Sequence, residues 1–122
     1  MASNRIERVN EDLQRELSAL IRTLKDPRVQ QSMVSVTKVE VTGDLRYAKV
    51  FISVFDKEKS RETILGLKSA SGFLRREIGA RLRLRYTPEL VFAEDHSLDY
   101  GARMFELLHE LKEKEEHHED GE

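Results

Sequence analysis

Residues 67–92, LKSASGFLRREIGARLRLRYTPELVF, carry the pattern on which the fold turns. Leu67, Leu74 and Ile78, with Ile64 just upstream, recur on one face at helical spacing. Interrupting them is Ser69-Ala70-Ser71-Gly72, three small residues and a glycine. Glycine inside a helix costs about 1 kcal/mol against alanine, and serine competes with the backbone for hydrogen bonds. The stretch predicts two helices, 58–69 with Ser60 as N-cap and 71–82, joined by a kink. The following Arg81-Leu82-Arg83-Leu84-Arg85-Tyr86-Thr87-Pro88 alternates, which would place three arginines on one side of an extended segment. Glu89-Leu90-Val91-Phe92-Ala93 then reads as a strand.

Upstream, Ile6, Val9, Leu13, Leu17, Leu20, Ile21 and Leu24 make one helical stripe. Asn4 and Glu7 have capping-box spacing, and Asp26-Pro27 ends the helix. Residues 33–42 and 46–55 read as strands of a hairpin turning at Thr42-Gly43-Asp44-Leu45. A parity change between Val36 and Val39 places a bulge near Thr37-Lys38. In the second strand Ala48, Val50, Ile52 and Val54 form one face, and Tyr47, Lys49, Phe51 and Ser53 the other. Downstream, Ser97 is placed to cap a last helix with the stripe Leu98, Ala102, Phe105, Leu108 and Leu111. The order is α-β-β-α-(kink)-α-β-α, an α+β fold with a three-stranded sheet and helices mainly on one face.

The 122 residues suit one domain, taken as 1–112, before an acidic, disordered tail at 113–122 that has no apolar residue. Zero cysteines exclude a disulfide framework or thiolate zinc and fit a reducing cytoplasm. No signal peptide or membrane span is expected. The net charge of −2 hides an asymmetry: residues 94–122 hold 3 basic and 11 acidic side chains, and residues 1–93 hold 18 and 12. A basic body with an acidic tail suits a nucleic-acid partner. The steepest charge lies between Leu67 and Tyr86, with Lys68, Arg75, Arg76, Arg81, Arg83 and Arg85 against Glu77 alone. Guanidinium groups suit bidentate phosphate contacts. The candidate RNA surface is Lys68, Ser69, Ala70, Ser71, Gly72, Arg75, Arg76, Arg81, Arg83 and Arg85, extended by Arg8, Arg15, Arg22 and Lys49. Pairing of some arginines with Glu77, Glu89 or Asp95 is the competing account.

Catalysis is not expected: there is no phosphate-binding Gly-rich loop, HExxH, GxSxG or cysteine nucleophile. Asp95-His96-Ser97 is explained by a helix-capping turn. His117-His118 lie in the tail, without fixed geometry for a metal. No cofactor is expected.

RIERVNEDLQRELSALI at 5–21, VTKVEVTGDLRYAKVFISV at 36–54, LKSASGFLRREIGARLRLRYTPELVFAEDHSL at 67–98 and GARM at 101–104 resemble the bacterial ribosome-binding factor A family. That resemblance implies a KH-like fold of type II topology with an extra C-terminal helix. KH domains normally clamp a nucleic-acid backbone with a G-x-x-G loop. Here glycines stand at 43, 66, 72, 79, 101 and 121, no two of them three apart. Ala70-Ser71-Gly72 matches the family's A-x-G kink instead. The resemblance implies a non-catalytic assembly factor. It would bind the free small ribosomal subunit and its rRNA, promote late maturation and 5′-end processing, and serve growth in the cold. An assembly GTPase would be a functional partner. Nothing in the sequence demands more than a monomer. A protein–protein adaptor or a ribosome-associated dormancy factor is the alternative.

Overall fold

The computed structural model describes residues 2–97 and 106–112. Helix α1 (Ala2–Ile21) is followed by a short helix α2 (Pro27–Gln30) and strands β1 (Val34–Val41) and β2 (Tyr47–Val54). A 3-10 turn (Lys57–Lys59) leads into helices α3 (Ser60–Ser69) and α4 (Ser71–Leu82), and strand β3 (Glu89–Glu94) closes the sheet. The strand order is β1-β2-β3, antiparallel between β1 and β2 and parallel between β2 and β3. A parallel partner needs a crossover, and α3–α4 supplies it. This is the KH-like type II order that the resemblance implies.

The central strand β2 buries Ala48, Val50, Ile52 and Val54 under the helices and leaves Tyr47 and Lys49 exposed on the other face. Its inner residues meet Leu13, Leu17 and Leu20 of α1, Leu67 of α3, and Leu74 and Ile78 of α4, all at most 1% exposed. Each such side chain contributes about 1.5–3 kcal/mol by leaving water.

Polar side chains of α1 fix edge strand β1. The register slips between Val36 and Lys38, as the parity change predicts. Gln14 Nε2 donates to the carbonyls of Val36 and Thr37, both at 3.2 Å. Farther along, Asn10 Oδ1 accepts from the N–H of Val41 at 2.9 Å. A bulge leaves backbone groups without ladder partners, and α1 provides them.

The kink falls at Ala70, whose ψ opens to 0° (φ −89°) for one residue. Its N–H still reaches the carbonyls of Gly66 and Leu67 at 3.1 Å, and its own carbonyl accepts from Leu74 N at 2.9 Å. Ser69 Oγ donates to the Leu65 carbonyl at 3.1 Å, and Ser71 Oγ to that of Lys68 at 2.8 Å. The two hydroxyls thus serve acceptors in the last turn of α3, which explains serine on both sides of the break.

Several local expectations change. Helix α1 already runs from Ala2, so Asn4 lies inside it and is no N-cap. Asp26 does more than end a helix: its carboxylate accepts from Arg28 N and caps α2, with Pro27 in the first turn. Ser60 lies inside α3 and bonds Glu94 at 2.9 Å, while Asp56 caps the 3-10 turn ahead of it. Arg81 and Leu82 belong to α4, so residues 81–86 are not one extended run. Asp95 Oδ1 accepts from Ser97 N at 2.8 Å, and the first turn of the helix that Ser97 was expected to cap lies, from residue 98, outside the described residues. Residues 106–112 are helical, but Leu108 and Leu111 of the expected stripe are each 58% exposed. Leu98, Ala102, Phe105 and the tail at 113–122 lie outside the described residues.

Candidate nucleic-acid interface

Helix α4 sorts its arginines by angle. Leu74 and Ile78 point into the core. At 100° per residue, Arg75 falls on one flank of that face, Arg81 on the other, and Arg76 points away; Arg83, just past the last helical residue Leu82, is exposed. The flanking pair is engaged internally. Arg75 donates from Nη2 to the Thr87 carbonyl at 3.0 Å and from Nε to that of Pro88 at 3.2 Å, fastening α4 to the entry of β3. Arg81 bonds Glu16 of α1 at 3.3 Å and lies 3.9 Å from Glu77. Arg15 of α1 joins this chain of charges through Asp12 at 3.1 Å and Glu16 at 3.8 Å. Arg75, Arg81 and Arg15 are thus bracing groups first. The pairing expected as the competing account holds for Arg81 with Glu77, and Glu16 is its closer partner.

The other two have no such duties. Arg76 and Arg83 are exposed and make no side-chain hydrogen bond or ion pair among the described residues, and the same holds for Lys68 on α3. Arg83 ends α4 in the left-handed conformation (φ 52°, ψ 43°), where glycine is the usual residue. A side chain there costs roughly 1–2 kcal/mol, and nothing its guanidinium touches in the described chain offsets that.

At the kink, Ser69, Gly72 and Lys68 are exposed, and Ala70 and Ser71 are half-buried. A Cβ built on Gly72 would meet nothing within 4 Å, so this turn of backbone is open to an approaching surface. Arg28 of α2 reaches the kink, with Nη2 3.4 Å from Ser69 Oγ and 2.7 Å from Asp26. Hydrogen bonding to Arg28 holds the Asp26 carboxyl below the usual carboxylate range, and in return the Arg28 guanidinium is raised. No sequence spacing pointed to Arg28, because it stands on a helix too short to show a period.

The predicted cluster therefore spreads out. Lys68 precedes the kink and Arg83 follows Leu82, with the 12 residues of α4, about 18 Å at 1.5 Å per residue, between them, so the unpaired cations are not gathered around the kink. Arg85 stands beyond its C-terminus, 5.7 Å from the Tyr86 ring centroid. Two further arginines join Arg83 and Arg85 at that end: Arg5 of α1 and Arg46 of the hairpin line the same groove. Both are distant in sequence and carried no local signal. Of the expected extension, Arg8 on α1 and Arg22 in the turn just after it are exposed without ion pairs among the described residues. Lys49 does not join this surface: it lies on the open face of the sheet, over the Phe51 ring at 5.1 Å.

Among the described residues no group of three or more His, Asp or Glu is placed to hold a metal ion. None of their helices is long and apolar enough to cross a membrane. His96 lies 3.9 Å from Glu94, and Asp95 accepts from Thr37 Oγ1 and from Ser97 N.

The family model described as ribosome-binding factor A matches residues 5–108. The chain is 52% identical over 119 residues to ribosome-binding factor A of Clostridium tetani (strain Massachusetts / E88), covering 96% of this chain and 98% of the relative. Among solved structures, the Thermotoga maritima putative ribosome binding factor A aligns with a TM-score of 0.69 at 35% identity, over 76% of this chain and 89% of that one. A Thermus thermophilus homology model, fitted into an electron-microscopy map of a 30S complex of that protein, aligns with a TM-score of 0.58 at 27% identity, over 70% and 89%. With its architecture, its A-x-G kink and these similarities, the chain belongs to the ribosome-binding factor A family.

Proposed function

We propose that this protein binds the free small ribosomal subunit by laying the outward face of α4, from the kink to Arg83, on folded rRNA. The observation that carries this reading is the division of labour on α4. Arg75 and Arg81 brace the fold, while Arg76, Arg83 and Lys68 are exposed without internal partners. Phosphate recognition needs cations not already neutralised, and arginine forks suit it. The 30S complex of the Thermus relative supports the choice of subunit. Binding without chemistry acts by preferring one rRNA arrangement, which shifts its population by the difference in affinity. In this reading the protein is a cytoplasmic, monomeric assembly factor. It assists late maturation and 5′-end processing of small-subunit rRNA, with most effect in the cold, alongside an assembly GTPase.

The test is cosedimentation with purified small subunits across a salt series. Three to five neutralised phosphates give a log–log slope of about −3 to −4.5. Replacing Lys68 and Arg76 together by Glu should release the protein from the subunit without unfolding it. A flat salt response, or undiminished binding by that variant, overturns the reading. A second reading, docking of a protein on the open sheet face, draws on Tyr47 and Val91, 48% and 44% exposed. It requires that binding survive RNase treatment.

A further inference from the structure

The groove at the far end of α4 is lined from three separate parts of the chain. It has a volume of about 750 Å³, within the range of small-molecule sites. Its walls are the first turns of α1, the β1–β2 hairpin and the segment linking α4 to β3. Val9, Val41, Leu45 and Leu84 give it an apolar lining, and each is at least partly withdrawn from water. Around them stand four arginines, Arg5, Arg46, Arg83 and Arg85, with one acid, Asp44. Asp44 is already occupied. It accepts from Thr42 Oγ1 at 2.6 Å and Arg46 N at 3.1 Å, and its carboxylate lies 3.8 Å from Arg46 Nε. The groove thus keeps a surplus of positive charge. Arg5 and Arg83 have no internal partner among the described residues.

Tyr86 completes the lining. Its ring is 75% exposed and has the Arg85 guanidinium over it, 5.7 Å from its centroid. Among the described residues three non-glycines have positive φ, and two of them, Leu45 and Arg83, line this groove. Such backbone concentrates where a site is built.

We propose that this groove binds an unpaired nucleotide of single-stranded RNA, with phosphates on Arg5 and Arg83 and the base stacked on Tyr86. An apolar lining with an exposed aromatic suits a base, and a row of guanidinium groups suits the backbone on either side. A bare phosphate would have no use for Tyr86 or the lining. An acidic peptide would have no use for an exposed ring braced by a guanidinium. The proposal rests on the rRNA reading for the source of the strand, but it assigns a single-strand site at the end of α4 opposite the kink.

The test uses the full chain and a short fluorescein-labelled single-stranded RNA, with a blunt RNA duplex of the same length as control, read by anisotropy. One stacked base is worth about 1–3 kcal/mol, so Tyr86→Ala should weaken single-strand binding roughly 5- to 150-fold, and Tyr86→Phe should restore it. Duplex affinity should change little. Arg83→Gly removes a charge while easing the left-handed backbone. It should lower single-strand affinity and leave the melting temperature equal or higher. Unchanged single-strand affinity in Tyr86→Ala overturns the groove assignment, even where subunit binding and its salt slope hold. Displacement of the RNA by a polyglutamate peptide as effectively as by unlabelled RNA overturns the choice of a nucleotide. Loss of subunit binding in the Lys68/Arg76 variant, with groove binding absent, separates failure here from failure of the wider reading.

Discussion

The two ends of α4 solve different problems. At the kink the residues are small, and the backbone itself is the exposed surface. Gly72 has open space where a Cβ would go, and the nearby Arg28 is tied to Asp26. At the far end the backbone is wrapped by α1 and the hairpin, and the exposed surface is made of arginine side chains. A kink admits close approach, whereas charge makes approach favourable. The structure puts these two properties about 18 Å apart on one helix, so an RNA meeting both must follow the helix rather than dock at a point.

The largest effect should come from a glycine at the kink end that is packed rather than open. A Cβ on Gly66 would stand 2.8 Å from Val29 Cγ2 and 3.3 Å from Arg28 Cβ. Val29 is buried, so α2 would have to move. Gly66→Ala should cost about 1–3 kcal/mol, read as a lower urea midpoint. Next, the ends can be ranked by charge. Arg83→Glu should weaken small-subunit binding about tenfold or more and Lys68→Glu by about threefold, since charge-assisted contacts are worth about 1.5–3 kcal/mol where several cations converge and less where one stands alone. The reverse ranking would return the centre of the surface to the kink. Smaller still, Gly72→Ala should raise stability by up to about 1 kcal/mol, because neither φ nor space requires glycine there. If the backbone at the kink meets rRNA, that same variant binds subunits less well although it melts higher.

The smallest effect concerns the sheet at the β1 bulge. Asp95 accepts from Thr37 at the bulge and from Ser97, at 2.7 and 2.8 Å. Those hydrogen bonds, the Ser97 side chain's foremost, lower its carboxyl from 3.8 to about 2. A carboxyl depressed on folding adds stability that is fully present above its unfolded value and is lost as protons bind the folded form. Stability should therefore decline as pH falls from about 4 toward 2. Asp95→Asn should flatten that part of the urea-midpoint profile and leave the neutral-pH midpoint lower.

Much of this was legible without coordinates. The strands, their bulge and the break at Ala70 follow from period and residue type, because each depends on neighbours within a few positions. Helix α2 was not legible: four residues are too few for a period, and Asp26-Pro27 signals an end and a beginning equally well. Ser60 was misread because serine suits an N-cap, yet here its hydroxyl reaches Glu94, 34 residues away. The arginines were legible as a group and illegible individually. Arg75 and Arg76 are adjacent and identical, and only the direction of the core makes one a clamp and the other a free cation.

By itself the sequence determined the order of the strands and of the longer helices up to β3, the place of the kink and the basic character of residues 67–86, since all three are local properties of side-chain size, branching and charge. Tertiary structure alone decided which cations are spent. It brought Glu16 to Arg81 and the Thr87 and Pro88 carbonyls to Arg75, and it closed a groove around Arg5, Arg46, Arg83 and Arg85. A charge is available to a partner only when folding has left it unpaired, and that depends on contacts between residues far apart in the chain.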